Sequence, residues 1–123
     1  MIVLDEQLND PIIQAAFAHW YRGQVIVIND LRPASVIKDD AISGLLLDAK
    51  QPTFITINYT DFWRRIKAHP RYSVICLRLT QDRDLEVPVI VREMFRLPLL
   101  ATKAARMGRV FSWREGDRVD FYE

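Results

Sequence analysis

The sequence is poor in cysteine and glycine, and it has no long hydrophobic run. The single cysteine, Cys76, excludes an intramolecular disulfide and a cysteine-rich metal cluster, as is typical of a reducing compartment. Four glycines leave little room for a glycine-rich phosphate-binding loop. No stretch approaches the roughly 18 apolar residues of a membrane-spanning helix, and the N-terminal segment carries Asp5 and Glu6 where a signal peptide would be basic. We therefore expect a soluble, cytoplasmic protein with no membrane contact.

The charge also lacks a dominant sign. Lysine and arginine together number 17 and aspartate and glutamate 16, which gives a net charge of +1. Nothing in this balance attracts the whole protein to nucleic acid or to an anionic membrane, so a polyanion would have to meet a local patch. The chain has 123 residues, of which 50% are hydrophobic, and this size and composition suit one domain with a sizeable core. We predict a single domain over residues 1–123.

Short apolar runs alternate with helical patterns along the chain. Buried strands are predicted at residues 2–4, 25–28, 53–57 and 73–79. Helices are predicted at residues 11–20, 41–47 and 62–69, with two helical pieces or one kinked helix over 87–107. Acidic residues cap three of these helices: Asp10, the pair Asp39 and Asp40, and Asp61. Residues 29–38, which contain Pro33 and Ser35, are predicted to be irregular.

The C-terminal part of the chain carries a hairpin signal. Apolar segments at 109–113 and 118–122 flank Glu115, Gly116 and Asp117. Strands that alternate with helices predict an α/β fold with a mainly parallel sheet and right-handed crossovers. A change of direction after the second strand gives the strand order 2-1-3-4, and ligands bind at the carboxyl edge of such a sheet where the order reverses. The turns after the first and third strands, with Asp5 and Asp61, fall at that edge.

Five acidic residues fall at element boundaries: Asp5, Glu6, Asp39, Asp40 and Asp61. Carboxylates that converge on one pocket repel one another, and a hard cation such as Mg²⁺ or Mn²⁺ relieves the repulsion. The cation would polarise a phosphodiester and activate water for attack. Ordinary capping and turn chemistry explains each of these acids equally well, so from spacing alone both interpretations stay open.

Several short blocks, in order over residues 2–80, resemble the PIN-like proteins of the DUF5615 group. That group is related to the toxin ribonucleases of toxin–antitoxin pairs and to the Mut7-C domain. The resemblance implies a PIN-like fold with a Mg²⁺- or Mn²⁺-dependent ribonuclease cleft. The blocks are Asp5-Glu6-Gln7-Leu8, Arg22-Gly23-Gln24-Val25, Asp39-Asp40-Ala41-Ile42, Thr56-Ile57-Asn58 with Asp61-Phe62, and Val74-Ile75-Cys76-Leu77-Arg78.

The resemblance also implies roles for individual residues. Asp5 would be the first metal ligand, the Asp39 and Asp40 pair would supply the second acid, and Asp61 the last. Asp5, Asp40 and Asp61 would be the catalytic acids. Asn58 stands where the group usually has an acid, and its amide oxygen could coordinate the cation without adding a charge. The turn before Asp61 is also one residue longer than in the group.

Basic and aromatic residues near these acids are candidates for RNA contacts. The candidate phosphate-binding residues are Arg64, Arg65, Lys67 and Arg78. Trp63 or Tyr59 could stack a base. The alternative is a solvated helix face with Trp63 packed inward.

Three functions therefore remain to be compared. The first is a metal-dependent endoribonuclease, as the toxin half of a toxin–antitoxin module with an antitoxin protein as partner; a homodimer stays open. The second is a phosphorylation-controlled receiver, which needs a phosphate-accepting aspartate where the chain has Asn58. The third is a PIN-like interaction or regulatory protein without nuclease activity. It would bind its partner through an apolar segment that contains Met94, Phe95, Leu97, Leu99 and Leu100.

Overall fold

The computed structural model describes residues 1–33 and 36–123. Within these ranges six strands form one sheet in the order β2-β1-β3-β4-β5-β6. The strands are β1 (Ile2–Leu4), β2 (Val25–Val27), β3 (Thr53–Thr56), β4 (Ser73–Leu77), β5 (Val110–Trp113) and β6 (Asp120–Tyr122). The helices are α1 (Pro11–Trp20), α2 (Ile42–Leu47), α3 (Tyr59–Phe62), α4 (Val87–Met94) and α5 (Lys103–Arg106). Single 3₁₀ turns lie at Glu6–Leu8, Ile28–Leu31 and Asp39–Ala41, and a longer one at Gln81–Glu86.

The sheet confirms the predicted α/β class and the order 2-1-3-4. Strand β1 pairs in parallel with β2 on one side and with β3 on the other, so the chain changes direction across the sheet after β2. Strand β4 continues in parallel beside β3. Ligands in such sheets bind outside the carboxyl ends of the strands at this change of direction, here between β1 and β3.

Strands β5 and β6 extend the sheet beyond the predicted four strands. They pair antiparallel, as the predicted hairpin requires, and Gly116 in their connection has a φ of 79°, which favours glycine. Strand β5 also pairs in parallel with β4, a contact that the hairpin signal did not indicate. The carboxyl edge of the sheet therefore includes the residues that follow β5.

Two apolar layers cover the sheet. Alternating residues of β1 serve both layers, since Ile2 and Leu4 belong to one cluster and Val3 to the other. Helices α1 and α4 pack on the first layer, and α2 and α3 pack on the second. Within the described ranges, no helix is both long and apolar enough to cross a membrane.

The N-termini of α1 and α2 differ in how they are capped. The Asp10 side chain accepts a hydrogen bond from the Ile12 N–H at 2.8 Å, and Pro11 occupies the first helical position, as predicted. Asp39 and Asp40 instead form a 3₁₀ turn ahead of α2, and no side chain caps α2. The prediction that this acidic pair caps a helix is therefore wrong, which leaves both carboxylates free for other contacts.

The predicted helix at 62–69 is also wrong. The helical residues are Tyr59–Phe62, and Asp61 is the third residue of α3 rather than its cap. The chain leaves the helix at Trp63, whose ring packs on Tyr122 with the ring centroids 5.1 Å apart. Arg64 then adopts a positive φ of 65°. A long-range aromatic contact thus overrides the weak preference of a short segment for helix.

The remaining elements agree with the predictions except at their limits. Helical structure between 87 and 107 divides into α4 and α5, with Pro98 between them, as the two-piece interpretation expects. Strand β4 ends at Leu77 rather than at residue 79. The segment 29–38 begins inside a 3₁₀ turn, and its residues 34 and 35 lie outside the described part of the chain.

Candidate active site

The predicted acidic residues lie around the carboxyl edge of β1 and β3. Asp5 directly follows β1 and starts a 3₁₀ turn. Thr56 ends β3, and α3 follows with Asp61 as its third residue. Asp39 and Asp40 come from the turn before α2 and line the same cleft as Asp61. The position at which the strand order reverses therefore gathers acids from three separate segments.

Asp5 is a buried carboxylate with two hydrogen-bond donors. It is 2% exposed. The Thr56 hydroxyl donates to Asp5 Oδ2 at 2.6 Å, and the Glu6 N–H donates to Oδ1 at 2.8 Å. Burial raises the pKa of Asp5, the two hydrogen bonds lower it, and the negative charge of Asp39 raises it again. The charge on Asp5 is thus held by donors but has a negative neighbour.

Asp39 and Asp61 line the same cleft, and the Asp61 carboxyl group affects the pKa of Asp39. Partial desolvation raises the pKa of Asp39, and a hydrogen bond between the two carboxyl groups raises it further. The negative charges of Asp61, Glu6 and Asp40 act in the same direction. Because an ionised carboxylate only accepts, the two groups can share a hydrogen bond only when one is protonated. When both are ionised they repel, and a cation between them would remove the repulsion.

A cleft of about 640 Å³ opens beside this pair. Its acidic, basic and histidine lining residues are Asp39, Asp40, Asp61, Arg65, Lys67 and His69. Carboxylate oxygens suit a hard cation, and arginine and lysine suit phosphate oxygens. The cleft therefore presents complementary groups for a cation and for a phosphodiester side by side.

The carboxylates suit a metal site with few protein ligands, and they do not suit one in which the protein supplies every ligand. Within residues 1–33 and 36–123, no three histidine, cysteine, aspartate or glutamate side chains come together as a ready metal centre. Asp39 and Asp61 do line one cleft, and Mg²⁺ commonly binds through one or two carboxylates, several waters and substrate phosphates. The pair suits such an open site and does not suit a site in which the protein supplies every ligand.

A chain of hydrogen bonds joins Asp5 to Asp61 through Thr56 and Asn58. The Thr56 hydroxyl donates to Asp5 and accepts from the Asn58 backbone N–H at 3.0 Å. The Asn58 side chain donates through Nδ2 to Asp61 Oδ2 at 2.8 Å. A carboxylate accepts only, so the amide nitrogen, rather than the oxygen that could bind a cation, faces Asp61. Asn58 therefore stabilises the charge of Asp61 as a donor.

The candidate RNA-binding cations lie in three places. Arg65 and Lys67 line the acidic cleft. Arg64 stacks over the Trp63 ring, with its guanidinium carbon 5.2 Å from the ring centroid. Arg78 lines a different cleft. Two of the four cations therefore accompany the acids, and they come from turns rather than from the predicted helix.

The two candidate stacking residues contact other protein side chains. Trp63 packs against Tyr122, as the inward-packing alternative expects. The Tyr59 hydroxyl is 2.7 Å from the Ser112 hydroxyl in a hydrogen bond. Neither aromatic ring lines the acidic cleft.

Sequence reasoning missed two residues of this region. Thr56 had a readable signal, since the predicted strand 53–57 is apolar except for Thr53 at its start and Thr56 near its carboxyl end. His69 reaches the cleft through the turns that follow α3, and these depend on contacts far along the chain. No local pattern could have placed it there.

Comparison of the chain with family models, with curated proteins and with solved structures found no match. The PIN-like resemblance therefore rests on the residue blocks quoted above. The support for a function accordingly comes from the residues of the cleft.

Proposed function

We propose that the protein is a PIN-like endoribonuclease that hydrolyses RNA phosphodiesters with Mg²⁺ or Mn²⁺. The observation that carries the proposal is the cleft that Asp39 and Asp61 line together with Arg65 and Lys67. The position of these acids at the reversal of strand order adds support. The role as a toxin, with an antitoxin protein as partner, comes from the resemblance alone.

Different protein residues would bind the cation and the RNA substrate. Asp39 and Asp61 would hold the cation, and Asp40 adds negative charge beside them. The bound cation would supply polarisation of the phosphodiester and an activated water. Arg65 and Lys67 would bind phosphate oxygens and offset the charge of the backbone. This arrangement needs no protein ligand beyond Asp39 and Asp61.

Asp5 has a supporting role in this proposal. It is buried, and its negative charge and that of Asp39 disfavour each other. An added cation would stabilise both charges, so Asp5 increases the affinity of the pair for a cation without touching it. Thr56 keeps the Asp5 carboxylate in one orientation through its hydroxyl.

Cleavage of a pool of end-labelled, random-sequence RNA oligonucleotides with Mn²⁺ tests the proposal. Asp39→Asn and Asp61→Asn should each abolish cleavage, and EDTA should abolish it in the wild type. Glu93→Gln removes the same charge from the exposed surface of α4, which packs on the other face of the sheet, and should cleave normally. Absence of cleavage by the wild type, or equal cleavage by Asp61→Asn, would refute the proposal.

The second candidate is a PIN-like interaction or regulatory protein without nuclease activity. The observation in its favour is the hydrogen bond from Asn58 Nδ2 to Asp61, which occupies one carboxylate oxygen with a neutral donor. In the apolar segment predicted to bind a partner, Met94 and Leu100 are buried, Phe95 and Leu99 are half-buried, and Leu97 is 38% exposed. A correctly folded protein that neither binds Mn²⁺ nor cleaves RNA would favour this candidate.

A further inference from the structure

A second cleft, of about 500 Å³, lies on the other side of α3 from the acidic cleft. Asp61 and Phe62 of α3 line the acidic cleft, whereas Tyr59 and Thr60 of the same helix line the second one. The second cleft also contains residues that directly follow β3, β4 and β5. The acidic end of the first cleft and the second cleft therefore both lie at the carboxyl edge of the sheet, with the four residues of α3 between them.

The charges in the second cleft are mostly neutralised by one another. Arg83 pairs with Glu86 at 2.7 Å and with Glu115 at 2.8 Å. Arg114 pairs with Asp117 at 3.3 Å. The carboxylates that line this cleft are thus engaged by arginines and repel an incoming anion less than free acids would.

Arg78 is the exception. It is exposed, it lines the second cleft, and it forms no ion pair with any residue of the described ranges. A guanidinium presents several N–H donors in a planar fork that matches phosphate oxygens. The hydroxyls of Thr60 and Thr80 line the same cleft and can donate to the remaining oxygens.

We propose that this second cleft binds a backbone phosphate of the same RNA strand whose scissile phosphate lies in the acidic cleft. The inference rests on the proposed nuclease function and extends it to the path of the substrate. The hydrogen bond between Asn58 and Asp61 spans the short helix, since Asn58 lines the second cleft and Asp61 the acidic one. The two clefts therefore adjoin at α3, as an extended single strand that passes from one to the other requires.

Binding of a fluorescein-labelled oligouridine in EDTA, followed by fluorescence anisotropy at several salt concentrations, isolates the second cleft from metal binding and cleavage. Each phosphate contact to a single strand contributes about 0.7 to the slope of log affinity against log salt concentration. Arg78→Ala should weaken binding and reduce this slope by about 0.7. Arg78→Lys keeps the charge and should retain most of the slope.

Arg22→Ala is the matched control. Arg22 is also exposed but follows α1 and precedes β2, at the opposite edge of the sheet, so its loss should leave affinity and slope unchanged. Wild-type binding with an unchanged slope in Arg78→Ala, or no binding of oligouridine by the wild type, would overturn the inference. Cleavage with Mn²⁺ is measured separately, so loss of the phosphate site and loss of nuclease function are told apart.

Discussion

Asp5 and Asp39 both have raised pKa values, but the causes differ. Burial is the main cause at Asp5, and donors from Thr56 and Glu6 counteract it. At Asp39, partial desolvation and the Asp61 carboxyl group both raise the pKa. Removal of a donor near Asp5 should therefore destabilise the protein, whereas removal of the Asp39 charge should stabilise it.

Thr56→Val tests the support of Asp5. The hydroxyl lowers the pKa of Asp5, so its loss raises that pKa further and leaves the Glu6 N–H as the remaining donor to the ionised carboxylate. We expect a loss of about 1–3 kcal/mol in the free energy of unfolding at neutral pH. The loss should shrink as the pH falls through the folded-state pKa values of Asp5, which lie above the ordinary 3.8 in both proteins, because the protonated carboxyl needs no such donor.

Urea unfolding at neutral pH and at acidic pH measures this change in stability. Thr56→Ser keeps the hydroxyl and should show little pH dependence in its stability change. An equal loss for Thr56→Val at neutral and acidic pH would indicate that the hydroxyl does not stabilise the Asp5 charge.

Asp39→Asn tests the repulsion in the acidic cleft. A carboxyl group whose folded-state pKa is raised favours folding below its ordinary pKa of 3.8 and loses that contribution as the pH rises through the folded-state value. The variant should therefore be more stable than the wild type in EDTA at neutral pH, by up to about 1 kcal/mol at this exposed site. Below the ordinary pKa the difference should disappear.

Differential scanning calorimetry in EDTA checks the melting temperatures. Glu93→Gln removes the same charge far from the cleft and should melt like the wild type. A lower melting temperature for Asp39→Asn at neutral pH would mean that the Asp39 carboxylate stabilises the metal-free fold.

At the scale of the elements, helix α3 determines which residues line the acidic cleft and which line the second cleft. Its four residues separate the two clefts, and its end at Trp63 turns Arg65 and Lys67 toward the acids. The strands and α1 could be predicted because apolar runs, helical spacing and the Asp10 cap are local signals. Helix α3 could not, because four residues carry little intrinsic helical preference and a contact with Tyr122 fixes where the helix ends.

Asn58→Asp tests the connection that leads into α3. The new carboxylate would face Asp61 in place of a donating amide, so the metal-free melting temperature should fall. Mn²⁺ should bind more tightly than to the wild type, because a formal charge is added next to the carboxylate pair. Thermal unfolding with EDTA and with Mn²⁺ measures both effects. Equal behaviour of variant and wild type in the two conditions would indicate that residue 58 does not act on the acidic cleft.

At the scale of the whole molecule, the two apolar layers cover the faces of the sheet but not its carboxyl edge. The helices pack on the two faces, and residues that follow β3, β4 and β5 line a cleft at the carboxyl edge, whereas Asp5 after β1 is buried. The strand order predicted this location from the sequence. The division of the charged residues between two clefts could not be predicted, because it depends on β5 joining β4 and on the turns after α3.

Isothermal titration of Mn²⁺ into the metal-free protein at neutral pH tests the central claim, a cation site at Asp39 and Asp61. The wild type should bind one Mn²⁺ per chain at this site. Asp39→Asn and Asp61→Asn should each lose at least about tenfold in affinity, or about 1.4 kcal/mol, while Glu93→Gln should bind like the wild type. Absence of binding by the wild type, or equal affinities for all four proteins, would contradict the account.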